Sequence, residues 1–171
     1  PADQSPGGSI ENVGTLMLRN CTFSGNICPW TGGAVGNLGT LSVNSCTFNN
    51  NRSDTYGGAI NNDGSTTLIN STFTDNQAGS GGGALSDYNG DDTFMISHCT
   101  IAGNRSLASD SGGGLDCHLS TSTTLTHTIL AGNKANGVLL NYSGESLPAL
   151  HSNGYNLSDD APSGLTGTGD Q

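Results

Sequence analysis

"GGAVGNLGTLSVNSCTFNNN", residues 32–51, decides how this chain folds. It opens on a paired glycine and closes on a run of asparagines. Its apolar residues fall too unevenly for a helix, and turn residues interrupt them too often for one long strand. The pattern then returns. Paired glycines stand at Gly7-Gly8, Gly32-Gly33, Gly57-Gly58, Gly82-Gly83 and Gly112-Gly113, with three steps of 25 residues and a fourth of 30. After 25 more, Gly137 opens "GVLL", which reads as a degraded copy. A second marker follows each glycine pair: "CTFSGN" (21–26), "CTFNNN" (46–51), "STFTDN" (71–76), "CTIAGN" (99–104) and "TILAGN" (128–133).

Each copy holds three short segments with apolar residues at every second position, separated by polar turns. Aligning the copies gives three apolar columns: Ile10, Val35, Ile60, Leu85, Leu115 and Leu140; Leu18, Val43, Leu68, Ile96 and Leu125; Phe23, Phe48, Phe73, Ile101 and Leu130. Three columns at fixed offsets describe three faces turned to one axis. The expectation is an all-β, single-domain parallel β-helix of about five to six coils with three short strands each, like residues stacking at roughly 4.8 Å. Asn26, Asn51, Asn76, Asn104 and Asn133 mark one corner, where side-chain amides bond along a ladder.

Composition agrees. The 171 residues include 27 glycines, only 32% are hydrophobic, and four basic residues face fourteen acidic ones, for a net charge of -10. That balance disfavours nucleic acid and anionic membranes as partners, and no apolar run approaches a membrane span. Residues 1–160 read as the β-helix domain and 161–171 as a polar tail or linker. The Thr/Asn/Gly-rich, Lys-poor repeats suit a secreted, extracellular or cell-surface chain. Cys21 and Cys46 stand on adjacent coils, close enough for a disulfide; buried free thiols are the preferred reading. Cys28 reads as a loop residue.

"GGAV", "GGAI" and "GGAL", paired with "FSGN", "FNNN" and "FTDN", resemble the GGA[ILV]/FxxN repeats of polymorphic outer-membrane proteins. They are also similar to those of secreted bacterial right-handed β-helix repeat proteins. The resemblance covers roughly residues 7–170. It implies the right hand for the solenoid. It also implies functions ranging from adhesins and spacers to modules attached to polysaccharide-processing enzymes, which would place neighbouring domains in a larger chain.

Candidate site residues are sparse. Trp30, the single tryptophan, and Tyr56 precede successive glycine pairs, so both sit at one corner of consecutive coils. Exposed flat rings there would stack against sugars, with Thr31, Arg52 and Asp54 bonding hydroxyls. Tyr88 and Tyr142 suggest a second patch. Ser9, Ala34, Ala59, Ala84 and Gly114 read as a flat outward strip able to lie along a polymer. Asp87, Asp91, Asp92 and Asp116 offer hard oxygen ligands for Ca²⁺, the one cofactor considered, or otherwise serve as solvated loop charges. His98 and His127 stack without an evident third metal ligand. No convincing catalytic constellation emerges: the Gly-His-Gly and Arg-x-Lys motifs of related hydrolases are missing, and the four basic residues are scattered.

The reading is therefore a non-catalytic carbohydrate-binding module of a secreted bacterial protein. Its partner would be an extended plant cell-wall or cell-surface polysaccharide such as xylan or pectin. The alternatives are a structural or adhesin segment and, more weakly, a polysaccharide lyase or glycoside hydrolase.

Overall fold

In the computed structural model of the chain, residues 7–88, 92–117, 123–144, 150–160 and 165–171 are described. Among them there is no helix. The chain winds as a β-solenoid. Three six-stranded sheets, parallel throughout, run its length, each taking one strand from every coil. The first contains Ile10–Asn12, Val35–Asn37, Ile60–Asn62, Leu85–Asp87, Leu115–Cys117 and Tyr142–Gly144. The second passes through Thr40–Asn44 and Ser65–Ile69, and the third through Thr47–Asn49 and Thr72–Thr74.

The second and third apolar columns align as expected. Leu18, Val43, Leu68, Ile96 and Leu125 are register partners, as are Phe23, Phe48, Phe73, Ile101 and Leu130. The rings of Phe23, Phe48 and Phe73 stack nearly parallel at 4.8 and 4.9 Å. That is the strand spacing itself, so the backbone ladder sets the ring distance.

Three expectations need correction. Each coil gains a fourth strand of two residues, at Ile27–Cys28, Arg52–Ser53, Gln77–Ala78, Arg105–Ser106 and Lys134–Ala135. Cys28 is therefore a buried strand residue, and its column continues through the small buried side chains of Ser53, Ala78, Ser106 and Ala135. The first column ends at Tyr142 rather than Leu140. "NG" at Asn136-Gly137, both with positive φ, makes a two-residue hairpin that folds Val138–Leu139 back antiparallel on Lys134–Ala135. The chain turns back there before it rejoins the first sheet. Third, Ala34, Ala59 and Ala84 are not an outward strip; they are wholly buried in the core cluster. Space explains their size and that of the glycines before them. A Cβ on Gly58 would stand 2.1 Å from the carbonyl oxygen of Gly83 on the next coil.

Polar ladders brace the interior. Asn26, Asn51, Asn76, Asn104 and Asn133 each donate Nδ2 to the next side-chain oxygen at 2.7–2.9 Å, the last to Asn141. Asn51, Asn76, Asn104 and Asn133 also donate to main-chain carbonyls of Phe23, Phe48, Phe73 and Ile101. A second ladder, Asn12–Asn37–Asn62–Asp87, lies in the first sheet. The buried amides of both ladders are thus satisfied by neighbouring coils, which is why so little apolar residue suffices.

All five cysteines are free. Cys21, Cys46, Ser71, Cys99 and Thr128 form one column in which the Cys46 sulfur and the Ser71 and Thr128 hydroxyls each accept the main-chain N–H of the preceding rung. The cysteines act as slightly larger serines. At the other end, residues 165–171 return to the solenoid. Leu165 enters the core cluster, and Asp170 accepts bonds from Ser152, Asn156 and Gly167.

Candidate functional site

Residues on the outer side of the first sheet align as Glu11, Gly36, Asn61, Ser86, Asp116 and Ser143. An outward row is normally wet. Here Gly36, Asn61, Ser86 and Asp116 are buried, because the corners on both sides of the sheet rise above it. The corner before the sheet carries Trp30, Thr31 and Tyr56. The corner after it carries Leu38, Asp63 and Tyr88 on successive coils, since the N–H groups of Leu38, Asp63 and Tyr88 bond to Asn12, Asn37 and Asn62 in turn. Between them lies a cavity of about 320 Å³ lined by Trp30, Thr31, Leu38, Tyr56, Asn61, Asp63 and Tyr88.

Trp30 is 42% exposed, so its ring is offered to solvent, not sealed into the core. Its carbonyl is held by the N–H and hydroxyl of Thr55 at 3.1 and 2.7 Å. The rings of Tyr56 and Tyr88 approach to 5.4 Å at a tilt of 51°. Tyr88 therefore joins Trp30 and Tyr56. The expected pairing of Tyr88 with Tyr142 fails, because Tyr142 lies in the last strand of the first sheet, half-buried against the core. Sequence spacing missed this because Tyr88 sits after its strand and Tyr56 before the strand of an earlier coil; only the sheet between them brings the rings together.

Polar chemistry converges under the rings. Asn61 donates Nδ2 to Asp63 at 3.0 Å, while its own Oδ1, buried, has no hydrogen-bond partner among the described residues. The Ser86 hydroxyl on the next rung is in the same state. Such orphaned acceptors are uncommon and costly. Burial pushes the Asp63 carboxyl above its ordinary range; the bond from Asn61 opposes this and the nearby charge of Asp87 adds to it. Further along the row, Asp116 accepts from Ser143 at 2.7 Å and Ser111 at 3.4 Å. Gly81 keeps that end open, since a Cβ there would stand 2.4 Å from Asp116 Oδ2 and 3.0 Å from the Tyr56 ring.

The remaining candidates sit apart from this cavity. Arg52 and Asp54 form an exposed ion pair at 3.2 Å and do not line it. Asp87 is wholly buried, accepting from Asn62 at 2.9 Å and Thr123 at 2.8 Å. It is neither a loop charge nor near the face of Asp116, because the two hold alternate positions of paired strands and point to opposite sides. Asp92 accepts from Ser65 at 3.2 Å, and Asp91 lies outside the described residues. No three His, Cys, Asp or Glu side chains among the described residues gather as a metal-holding group. His98 and His127 stack at 4.7 Å, and Tyr155 extends the stack at 5.0 Å.

A solenoid of parallel coils with an aromatic trough on one sheet defines the class. The sequence matches the family described as right handed beta helix region over residues 5–166, and the chain belongs to that family. The family includes both enzymes and non-enzymes. No curated protein matches the chain, and no solved structure does.

Proposed function

We propose that the chain is a non-catalytic carbohydrate-binding β-helix module. Its site is the trough of Trp30, Tyr56 and Tyr88 over Asn61 and Asp63. The observation that carries this reading is the cavity that gathers Trp30, Tyr56 and Tyr88 with the polar side chains of Thr31, Asn61 and Asp63. Rings that meet the C–H face of a sugar, with polar groups beside them, are what a polyhydroxylated ring needs: an apolar face to cover and hydroxyls to receive. The cavity volume lies at the small end of ligand sites, room for a short stretch of an extended chain. An extracellular or cell-surface setting, within a larger bacterial protein, belongs to the same proposal. A structural or adhesive segment is the second reading, favoured by the continuous ladders that would make the solenoid a stiff spacer.

The test is affinity electrophoresis against xylan, pectin, cellulose derivatives, β-glucans and chitin oligomers, with product analysis in parallel. Wild type retarded by one neutral polymer, with Trp30→Ala and Tyr88→Ala both mobile and no shortened chains, is the expected result. Retardation by none of them overturns the proposal for the adhesive reading. Shortened chains overturn its non-catalytic part.

A further inference from the structure

The trough is bordered by carboxylates and by no lysine or arginine. Of the described residues that line it, Asp63 alone carries a charge. Asp116 stands buried further along the same outer row, and its Oδ2 and the Tyr56 ring both lie within 3.0 Å of the point that a Cβ on Gly81 would take. Glu11 holds the first position of that row. The four lysines and arginines lie elsewhere. Arg19 closes the first strand of the second sheet, and Arg52, Arg105 and Lys134 open two-residue strands of the fourth. The face that carries the aromatic side chains is therefore the one on which negative charge goes unmixed with these cations.

Tyr56 and Asp63 flank a single strand, Ile60–Asn62, and Trp30 and Tyr88 come from the coils on either side. A ligand in the trough thus meets rings from both walls and a carboxylate from one. Asn61, at the middle of that strand, holds the carboxylate in place through its Nδ2 at 3.0 Å. The negative side of an aromatic ring is its face, so the rings attract a cation as well as an apolar surface. A half-buried carboxylate beside them adds a charge-assisted bond, and burial makes that charge count for more than it would in water. Burial and the nearby charge of Asp87 hold the Asp63 carboxyl above its ordinary range, so an arriving cation would relieve it.

We infer that the trough selects an amino sugar, a glycan whose rings carry free protonated amines, with the ammonium beside Asp63 and the C–H face of the sugar on the aromatic side chains. This rests on the carbohydrate reading above and narrows it. A neutral sugar would use the rings but leave the carboxylate without a partner of opposite charge. An acidic sugar would be repelled by Asp63 and, further along, by Asp116. A lysine side chain brings the same ammonium, but on a flexible stem that offers no flat face to Trp30 and the two tyrosines and loses entropy when it is held.

Trp30 is the single tryptophan, so its fluorescence reports from the site itself. The probes are β-1,4-linked hexasaccharides of glucosamine, N-acetylglucosamine and glucose, which share a backbone and differ at C2, together with hexalysine. Titrations compare wild type, Asp63→Asn, Tyr88→Ala and Asp75→Asn. The last makes the same change of charge at an exposed bend after Thr72–Thr74, outside the trough. Thermal melts confirm folding. Wild type is expected to bind the glucosamine hexamer about tenfold or more tighter than the other two sugars. Asp63→Asn should erase that preference while keeping the weaker binding of the glucose hexamer. Tyr88→Ala should weaken all three sugars, and Asp75→Asn should change nothing. Binding of the acetylated or glucose hexamer as tight as that of the amine overturns the inference and leaves the carbohydrate reading standing. A preference that survives in Asp63→Asn, an equal loss in Asp75→Asn, or tighter binding of hexalysine overturns it too. Silence of every probe also overturns it, and the polymer panel then decides the wider reading separately.

Discussion

Asn62 donates its Nδ2–H to Oδ1 of Asp87 at 2.9 Å, so a ladder of neutral amides ends on a carboxylate inside the solenoid. Asn12, Asn37 and Asn62 all donate in the same direction. Thr123 donates its hydroxyl to the other carboxylate oxygen at 2.8 Å. Asp87→Asn restores the residue used on the three preceding rungs, and its stability in urea is expected within about 1 kcal/mol of wild type. Asp87→Ala leaves the Asn62 amide and the Thr123 hydroxyl buried without their acceptor and should cost about 2–3 kcal/mol. Equal losses for both variants would mean that the charge, not the ladder, is what the fold requires.

Phe48 lies between Phe23 and Phe73 and is fully buried. Phe48→Ala should cost about 3–5 kcal/mol, since a stiff ladder cannot collapse around the gap. Phe23→Ala, in the half-buried end coil, should cost less. Denaturant midpoints at constant m-value check the order, and a reversed order would show that the end coil carries more of the stability than its burial implies.

Burial pushes the Cys99 thiol up to about 11 from an ordinary 9.0, against smaller opposing hydrogen bonds from the backbone at Ser71 and Ser97. Cys46 and Cys117 are raised in the same direction, chiefly by burial. A raised thiol favours the native state fully below the unfolded value and loses that contribution as pH climbs through the native one. Urea midpoints should therefore fall between pH 9.0 and about 11. Cys99→Ser, which places here the residue that holds the same column at Ser71, should flatten part of that slope. Alkylation followed by mass spectrometry should find half-buried Cys21 modified well before Cys46, Cys99 and Cys117.

Asp63 has a native pKa raised above 3.8, again mainly by burial. Its contribution to stability is present below 3.8 and is lost as pH rises through the native value, so at neutral pH the ionised carboxylate works against folding. Asp63→Asn keeps an acceptor for Asn61 and removes that charge. The variant should unfold at higher urea than wild type at neutral pH, with the advantage shrinking towards pH 3.8. An advantage that stays constant with pH would show that ionisation is not its source.

Much of the fold was legible because a solenoid is nearly one-dimensional. Each coil touches the next, so a residue's partner lies one repeat away: Phe48 against Phe73, Asn51 against Asn76. Where the repeat slips, the reading slipped too. Counting another 25 residues past Gly112 placed Leu140 in the first column. The "NG" hairpin at Asn136-Gly137 was the visible signal that the chain reverses there, and it moves the column to Tyr142. The fourth strand was overlooked because two residues are too few to show alternation. The burial of the alanine strip was overlooked because tight corners bring both sides of a short strand against neighbours.

By itself the sequence determined the coil, its period and the Phe and Asn stacks. All of these are nearest-neighbour relations written at fixed spacing. Tertiary structure alone decided which aromatics meet. Tyr88 faces Tyr56 because two corners rise on opposite sides of one sheet, a relation that depends on the width of that sheet and on side-chain direction. It alone gave Asn61 its unpaired oxygen under Trp30, Tyr56 and Tyr88. Whether a polar group is satisfied depends on everything within hydrogen-bond reach, and a one-dimensional pattern does not enumerate that.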